Sequence, residues 1–471
     1  MSTLIWKDLR HHASEWLWSL LVATVGGTII GVVITSWWSA VQWSLAHPDG
    51  PYMLASNILG SNMVGYIGVS TAIVISTTLG LTVAAQQRSH ALWKVLGIPG
   101  RRIRSVILWQ VCAVGLVGGL LGGLLALPTA RVYLLTWREF SLFPDDLPLS
   151  MPLFGIPATI LVTALFSVLG GLGAARRAAN VPEMQALREA TSPRSRTKLW
   201  QWIAAGLFLI PAVLMPILIH LPPEALHSDY TPEMPDVPVE ATTADFESPS
   251  DRAILGGGIG LMVALAALFI PNWTIRPLLI GWTSLIPGHS PAWFAARANA
   301  RHRSTFSMAT IVPFAIAVAM TGIFHTVAEA GRAAGDMAGG VNGFLTIMVP
   351  IFFVAGAGGV ANIAMVGRTR RQEGALLGVI GAKSCTILGS TVLEGAIYAT
   401  TGILFGLAMT LLSATLAALM SGGGMEVFIS SIPVTTLLPA IGASLVLAIT
   451  TTWLPAQFNR RPVMENLRQP V

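Results

Sequence analysis

Charged side chains are scarce in this chain. Lys, Arg, Asp and Glu make 11% of its 471 residues, against about a quarter in a water-soluble protein. That scarcity excludes a soluble enzyme, and 53% hydrophobic residues exclude a disordered chain. Cysteine is rarer still: Cys112 and Cys385 lie in or beside apolar runs and offer no disulfide framework. No His, Cys or acid cluster has metal-ligand spacing. The phosphate-cradling pattern G-x-x-x-x-G-K-[ST] is also missing. Its nearest approach, Gly378-Val379-Ile380-Gly381-Ala382-Lys383-Ser384, lacks the Gly-Lys pair. What abounds is long apolar sequence, with 47 Gly and a mean hydropathy of +0.68. This is the composition of an integral membrane protein, whose apolar surface lipid solvates.

A bilayer core of roughly 30 Å takes about 20 apolar residues as helix. On that basis we expect an all-α polytopic protein of about ten spans, near 16–38, 60–85, 105–134, 152–174, 199–221, 253–271, 306–327, 342–367, 385–421 and 434–455. The ninth is long enough to tilt or to contain a break. The polar start, 1–14, shows no signal-peptide cleavage site, so the run after it is expected to remain as a span. Trp37, Trp38 and Trp43 cluster at the outer end of this first span, where an aromatic belt would sit.

With both termini in the cytoplasm, 24 of the 28 Lys and Arg fall in inward segments, leaving Arg131, Arg138, Arg252 and Arg332 elsewhere. The positive-inside rule therefore orients the chain as a multi-pass protein of a bacterial cytoplasmic membrane with cytoplasmic termini. Fifteen of the 22 acids fall outward, eight of them in 221–252 among six prolines and one basic residue. That segment reads as a solvated loop, with docking of an extracytoplasmic protein as the alternative. The net charge of +6 thus reports topology and gives no reason to expect nucleic acid.

The chain repeats itself. Gln87-Arg88-Ser89-His90-Ala91-Leu92-Trp93-Lys94-Val95-Leu96-Gly97 aligns with Arg371-Gln372-Glu373-Gly374-Ala375-Leu376-Leu377-Gly378-Val379-Ile380-Gly381 at a register of 284. Without gaps the register places Gln110 on Glu394, Gly118 on Gly402 and Gly122 on Gly406. The ends also pair, Pro182-Glu183-Met184-Gln185-Ala186-Leu187-Arg188 with Pro462-Val463-Met464-Glu465-Asn466-Leu467-Arg468. The expected organisation is a first four-span repeat over 1–190, two linking spans over 191–289, and a second repeat over 290–471. Both repeats start on the same side, so they are parallel.

The pattern E-x-A-L-L-x-x-I-G-A, a membrane Glu one helix later, a Gly-rich zipper and a P-x-x-x-x-L-R tail resembles the FtsX-like permease domain of the MacB-type ABC transporter superfamily, present twice. Glu373 through Lys383 with Glu394 matches well; the first copy departs, with Ser89 in place of the acid and Gln110 in place of the membrane Glu. The outward segments 39–59 and 328–341 are short, whereas members of this family usually insert a sizeable extracytoplasmic domain. The resemblance implies a permease that is not itself an enzyme and binds no cofactor, with ATP and Mg held by a partner ABC ATPase, two copies per chain.

It also implies that the two inward loops act as coupling helices. Leu92, Val95 and Leu96 recur at helical spacing beside Arg88 and Lys94, as do Leu376, Leu377 and Ile380 beside Arg371 and Glu373. The same amphipathic pattern fits lipid headgroups. Glu394 lies about 15 Å into its span by helical rise. Such an acid either contacts a substrate or proton, or bonds across the repeat interface with Gln110 as its neutral counterpart. The glycines of 115–123 read as a packing device. The substrate site is not legible. The expected activity is export, or outer-leaflet extraction, of an antibiotic, antimicrobial peptide, lipid or porphyrin. The alternative is a mechanotransmission device acting on an extracytoplasmic hydrolase or sensor kinase. A secondary transporter would need inverted repeats and ranks last.

Overall fold

Backbone amides and carbonyls in lipid find no water, so apolar runs of this length must close their hydrogen bonds internally as helix. The structure, a computed structural model, describes residues 13–47, 60, 63–138, 148–180, 199–219, 248–288, 290–334 and 342–458. Every regular element among them is helical. Helix α1 is Ala13–Ala46; a π-helical turn at Met63–Ile67 leads into α2, Gly68–Ala85. Then follow α3 (Gln87–Val95), α4 (Gly100–Arg138), α5 (Gly155–Asn180), α6 (Leu199–Ile219) and α7 (Pro249–Phe269). Two helices, α8 (Pro271–Leu285) and α9 (Pro291–His302), form an elbow before the next long helix. The remainder is α10 (Ser304–Ala334), α11 (Asn342–Val379), α12 (Ser384–Ser421), a short α13 (Gly424–Ser430) and α14 (Val434–Phe458).

Among the described residues, nine helices are long and apolar enough to cross a membrane. The expected fifth span, 199–221, is helical over Leu199–Ile219 as α6 and carries Pro211 and Pro216 within it; Gln201–Ile217 of it forms a shorter apolar stretch among the described residues. The ninth span contains no break. Helix α12 runs 38 residues until Gly422, at φ 71°, turns the chain. Its length of roughly 57 Å, at 1.5 Å per residue, calls for tilt or projection beyond the bilayer core. The acidic segment 221–252 lies outside the described residues up to 247. At its end Ser248 caps α7, its Oγ accepting from the Asp251 amide at 3.1 Å and donating to Asp251 Oδ2 at 2.5 Å.

Helices α1, α2, α4 and α5 pack as one bundle, and α10, α11, α12 and α14 as another. Glycines set the closest approaches. A β-carbon at Gly118 would lie 2.6 Å from Ala23 Cβ, and one at Gly122 2.5 Å from the Gly27 carbonyl carbon, so α4 meets α1 backbone to backbone. At the register positions, Gly402 and Gly406 of α12 abut Phe314–Ala315 and Val318–Ala319 of α10. The bundles meet where α2 packs on α11 and α10, and α1 on α11. The two linking spans are not shared evenly: α7 packs on α10 and α12 of the second bundle, and α6 packs chiefly on α7.

Candidate functional site

Two turns at one end of the molecule are built alike. After α3, the Leu96 amide donates to Leu92 O at 3.0 Å, Gly97 to Lys94 O at 2.8 Å and Ile98 to Trp93 O at 3.0 Å. After α11, Ile380 donates to Leu376 O at 3.2 Å, Gly381 to Gly378 O at 3.1 Å and Ala382 to Leu377 O at 2.9 Å. Each set satisfies the last helical carbonyls in the Schellman pattern. That pattern needs a left-handed residue, supplied by Gly97 at φ 84° and Gly381 at φ 96°. Helices α4 and α12 then start at Gly100 and Ser384, 284 residues apart.

The turns share an end because α2 and α11 run parallel. Val74 meets Gly358, and further along both helices the Thr82 hydroxyl lies 3.2 Å from Met365 Sδ. Contacts advancing in the same sense on both helices require a common direction. The expected inward loops are mostly helix, but they are built differently. The first is a separate nine-residue helix after a turn at Gln86, whereas the second is the unbroken end of the 38-residue α11.

The apolar members of the expected coupling set point outward. Leu92 is exposed, Leu96 is 78% exposed, Leu377 is exposed and Ile380 is 83% exposed. Val95, Leu376 and Val379 extend both patches. Lys94 is half-buried, and behind it His90 is buried with its ring edge-on to Trp93, centroids 5.3 Å apart. The side chains of Arg88, Arg371 and Glu373 lie outside the described residues; their backbone is helical. Each turn therefore presents a knob of large aliphatic side chains on a rigid, fully hydrogen-bonded support.

Glu394 is buried in α12. The Tyr398 hydroxyl donates to its Oε1, and Asn299 Nδ2 donates to Oε2 at 3.5 Å. Tyr398 lies one turn on along the same helix and Asn299 on α9, so these bonds differ from those expected across the repeat interface. They tie the ninth span to the elbow. Ser307 extends the tie, its Oγ lying 2.7 Å from Ala300 O and 3.3 Å from Tyr398 Oη. The Trp282 indole donates to Thr401 Oγ1 at 3.0 Å. The elbow itself is closed by Arg301, whose Nε and Nη2 donate to Thr283 Oγ1 at 3.0 and 2.9 Å and whose Nη2 reaches Ile280 O at 3.0 Å. Burial, and then the Arg297 charge, push the Arg301 pKa below its ordinary value. Gln110, the register counterpart of Glu394, is buried in α4 of the other bundle.

The sequence showed Tyr398 only as the i+4 neighbour of Glu394, and nothing in local spacing marked Asn299, Trp282 or Arg301. Glu394→Leu would remove the acceptor that the Tyr398 hydroxyl and the Asn299 amide share, at about 1–3 kcal/mol for a buried donor that loses its partner. We expect a thermal midpoint in detergent several degrees below wild type. Glu394→Gln keeps an acceptor for Tyr398 and should lose less than half as much.

Residues 62–182 match the family model described as FtsX-like permease C-terminal. This stretch spans α2 to α5 and holds the copy that departs from the family pattern at Ser89 and Gln110. None of the curated proteins matches the chain. The chain thus carries, at 62–182, a domain that fits the FtsX-like permease family.

Proposed function

We propose that the chain is the transmembrane subunit of an ABC exporter, built as two FtsX-like repeats, 1–190 and 290–471, joined by 191–289. Two copies of a separate ATPase bind at the end where α3 and α11 terminate. ATP-driven closure there is transmitted along α4 and α12 to export, or extract from the outer leaflet, a hydrophobic or amphipathic molecule. The observation that carries this reading is the matched pair of exposed aliphatic knobs on Schellman-capped supports at one end of the molecule. A helix lying on headgroups has no need of a matched partner, whereas a pair of identical ATPase grooves does. The basic excess at the same segments orients that end toward the cytoplasm. Among the described residues of the crossing helices, buried polar side chains are mostly Ser and Thr. That favours a lipid-like cargo over a hydrophilic one.

The test is purification of the chain from its native membrane, with identification of any co-purifying nucleotide-binding subunit and measurement of its stoichiometry. Two ATPase copies per permease chain, with hydrolysis stimulated over the free ATPase, is the expected result. A stable permease with no associated nucleotide-binding subunit would overturn the proposal.

A further inference from the structure

Helix α4 and helix α5 enclose an open groove of about 520 Å³ near the start of α4, lined by Arg101, Arg104, Ser105, Leu108, Trp109 and Val168, with Cys112 at its far end. The α4 members recur at spacings of three and four, which places them on one helix face. The groove is therefore graded: two guanidinium groups and a hydroxyl at the top, then aliphatic and indole surface below. Trp109 is 63% exposed, and beyond Cys112 the same face continues as exposed Leu116 and Leu120.

Among the described residues the top of this groove is short of negative charge. The first turn of α4 contains no acid, although Arg101, Arg102 and Arg104 crowd the positive end of the helix dipole, where cations are disfavoured and anions stabilised. Neither Arg101 nor Arg104 has an ion-pair or hydrogen-bond partner among the described residues. The apolar crossing stretch runs Gly100–Leu134, roughly 52 Å at helical rise against a hydrocarbon core of about 30 Å. Its first turns thus sit at headgroup level, with Trp109 about 12 Å further in by the same rise, where interfacial indoles belong.

We propose that this groove binds one anionic phospholipid. Arg101, Arg104 and the Ser105 hydroxyl hold its phosphate, and an acyl chain lies along Leu108, Trp109 and Leu116. Among the described residues no acid lines the groove, so charge complementarity selects an anionic over a zwitterionic headgroup. The lower half of the groove lies within the membrane-crossing stretch, out of reach of a water-soluble subunit, which favours lipid over a protein partner. The site occurs once per chain, because the 284-residue register puts Cys385 and Leu388 where Arg101 and Arg104 stand.

The test reconstitutes the full chain in phosphatidylcholine vesicles containing either brominated phosphatidylglycerol or brominated phosphatidylcholine. Quenching at the groove is isolated as the difference between wild type and Trp109→Phe. Brominated phosphatidylglycerol should quench several-fold more than brominated phosphatidylcholine at equal mole fraction. Arg101→Gln/Arg104→Gln should abolish that preference, since each basic residue near an anionic surface contributes about 1 kcal/mol. The single variant Arg104→Gln should give an intermediate loss and guards against misfolding of the double variant. Arg102→Gln, outside the groove, should keep the preference. Equal quenching by the two lipids would overturn the site. So would an equal loss in Arg102→Gln, which means diffuse attraction, or competition by inorganic phosphate at matched ionic strength, which means a soluble anion. An unchanged lipid preference in the double variant, with loss of a co-purifying ATPase, would reassign the arginines to a protein partner.

Discussion

Replacing Leu96 and Ile380 together by aspartate is expected to strip the ATPase from the purified chain. At 78% and 83% exposure these are among the most exposed aliphatic side chains of the two turns. Their substitution removes almost no packing within the permease, and exposed positions of this kind change stability by about ±0.5 kcal/mol. Docked into a partner groove, each large aliphatic side chain contributes about 1.5–3 kcal/mol, and a buried unpaired carboxylate adds a further penalty. Each ATPase meets one such loss, at least roughly tenfold weaker association at 1.4 kcal/mol per tenfold, before the carboxylate penalty is added. Affinity capture followed by quantification of the bound ATPase, with permease yield and elution volume unchanged, is the measurement. Leu96→Asp or Ile380→Asp alone should leave one ATPase attached, giving a one-to-one complex. If both knobs merely rest on headgroups, the double variant keeps its full complement of ATPase, and the coupling role is lost.

The spans, their order and the two turns were legible because each rests on local chemistry. A run of apolar residues admits only helix in lipid, and a Gly following Leu-x-x-x-Leu or Leu-x-x-x-Ile marks where such a helix must stop. Gly97 and Gly381 stand at the left-handed positions that the 284-residue register leads one to expect. The zipper glycines Gly118, Gly122, Gly402 and Gly406 likewise stand at helix contacts. What escaped was long-range. Asn299 reaches Glu394 across 95 residues, and Arg301 closes an elbow whose other side is Thr283. No periodicity encodes such pairings, because they depend on how α8 and α9 fold back onto α12. The break considered for the ninth span also had no local means of resolution: length alone permits either tilt or interruption. The uneven placement of α6 and α7 on the second bundle is of the same kind. Glycines Gly256 and Gly260 fit α7 against Leu416 and Ser413 of α12, a complementarity visible only once both helices are in place.

Gly406→Leu is expected to remove the folded protein from the membrane. A β-carbon at Gly406 would stand 2.7 Å from Val318 Cβ and 2.8 Å from the Ala319 amide nitrogen, and one turn earlier Gly402 is equally close to the backbone of α10. Relief requires α10 to withdraw, yet 94% of its most apolar window is buried inside the molecule, with α2, α7, α11 and α14 packed around it. Overpacking a core costs about 1–3 kcal/mol where side chains can yield. Here the obstacle is backbone, so the upper figure is the minimum. A loss of about 3 kcal/mol lowers a midpoint by roughly 6–12 °C in a domain of 150–250 residues, a large share of a marginal stability. Gly406→Ala should show a smaller drop of the same origin. Gly442→Leu is the control, since a β-carbon there meets nothing within 4 Å. Detergent-extracted yield and thermal midpoint decide the matter. Wild-type values for Gly406→Leu would mean that α10 and α12 do not meet through glycine, and would undo the close helix pairing on which transmission from the α11 turn to the outer end depends.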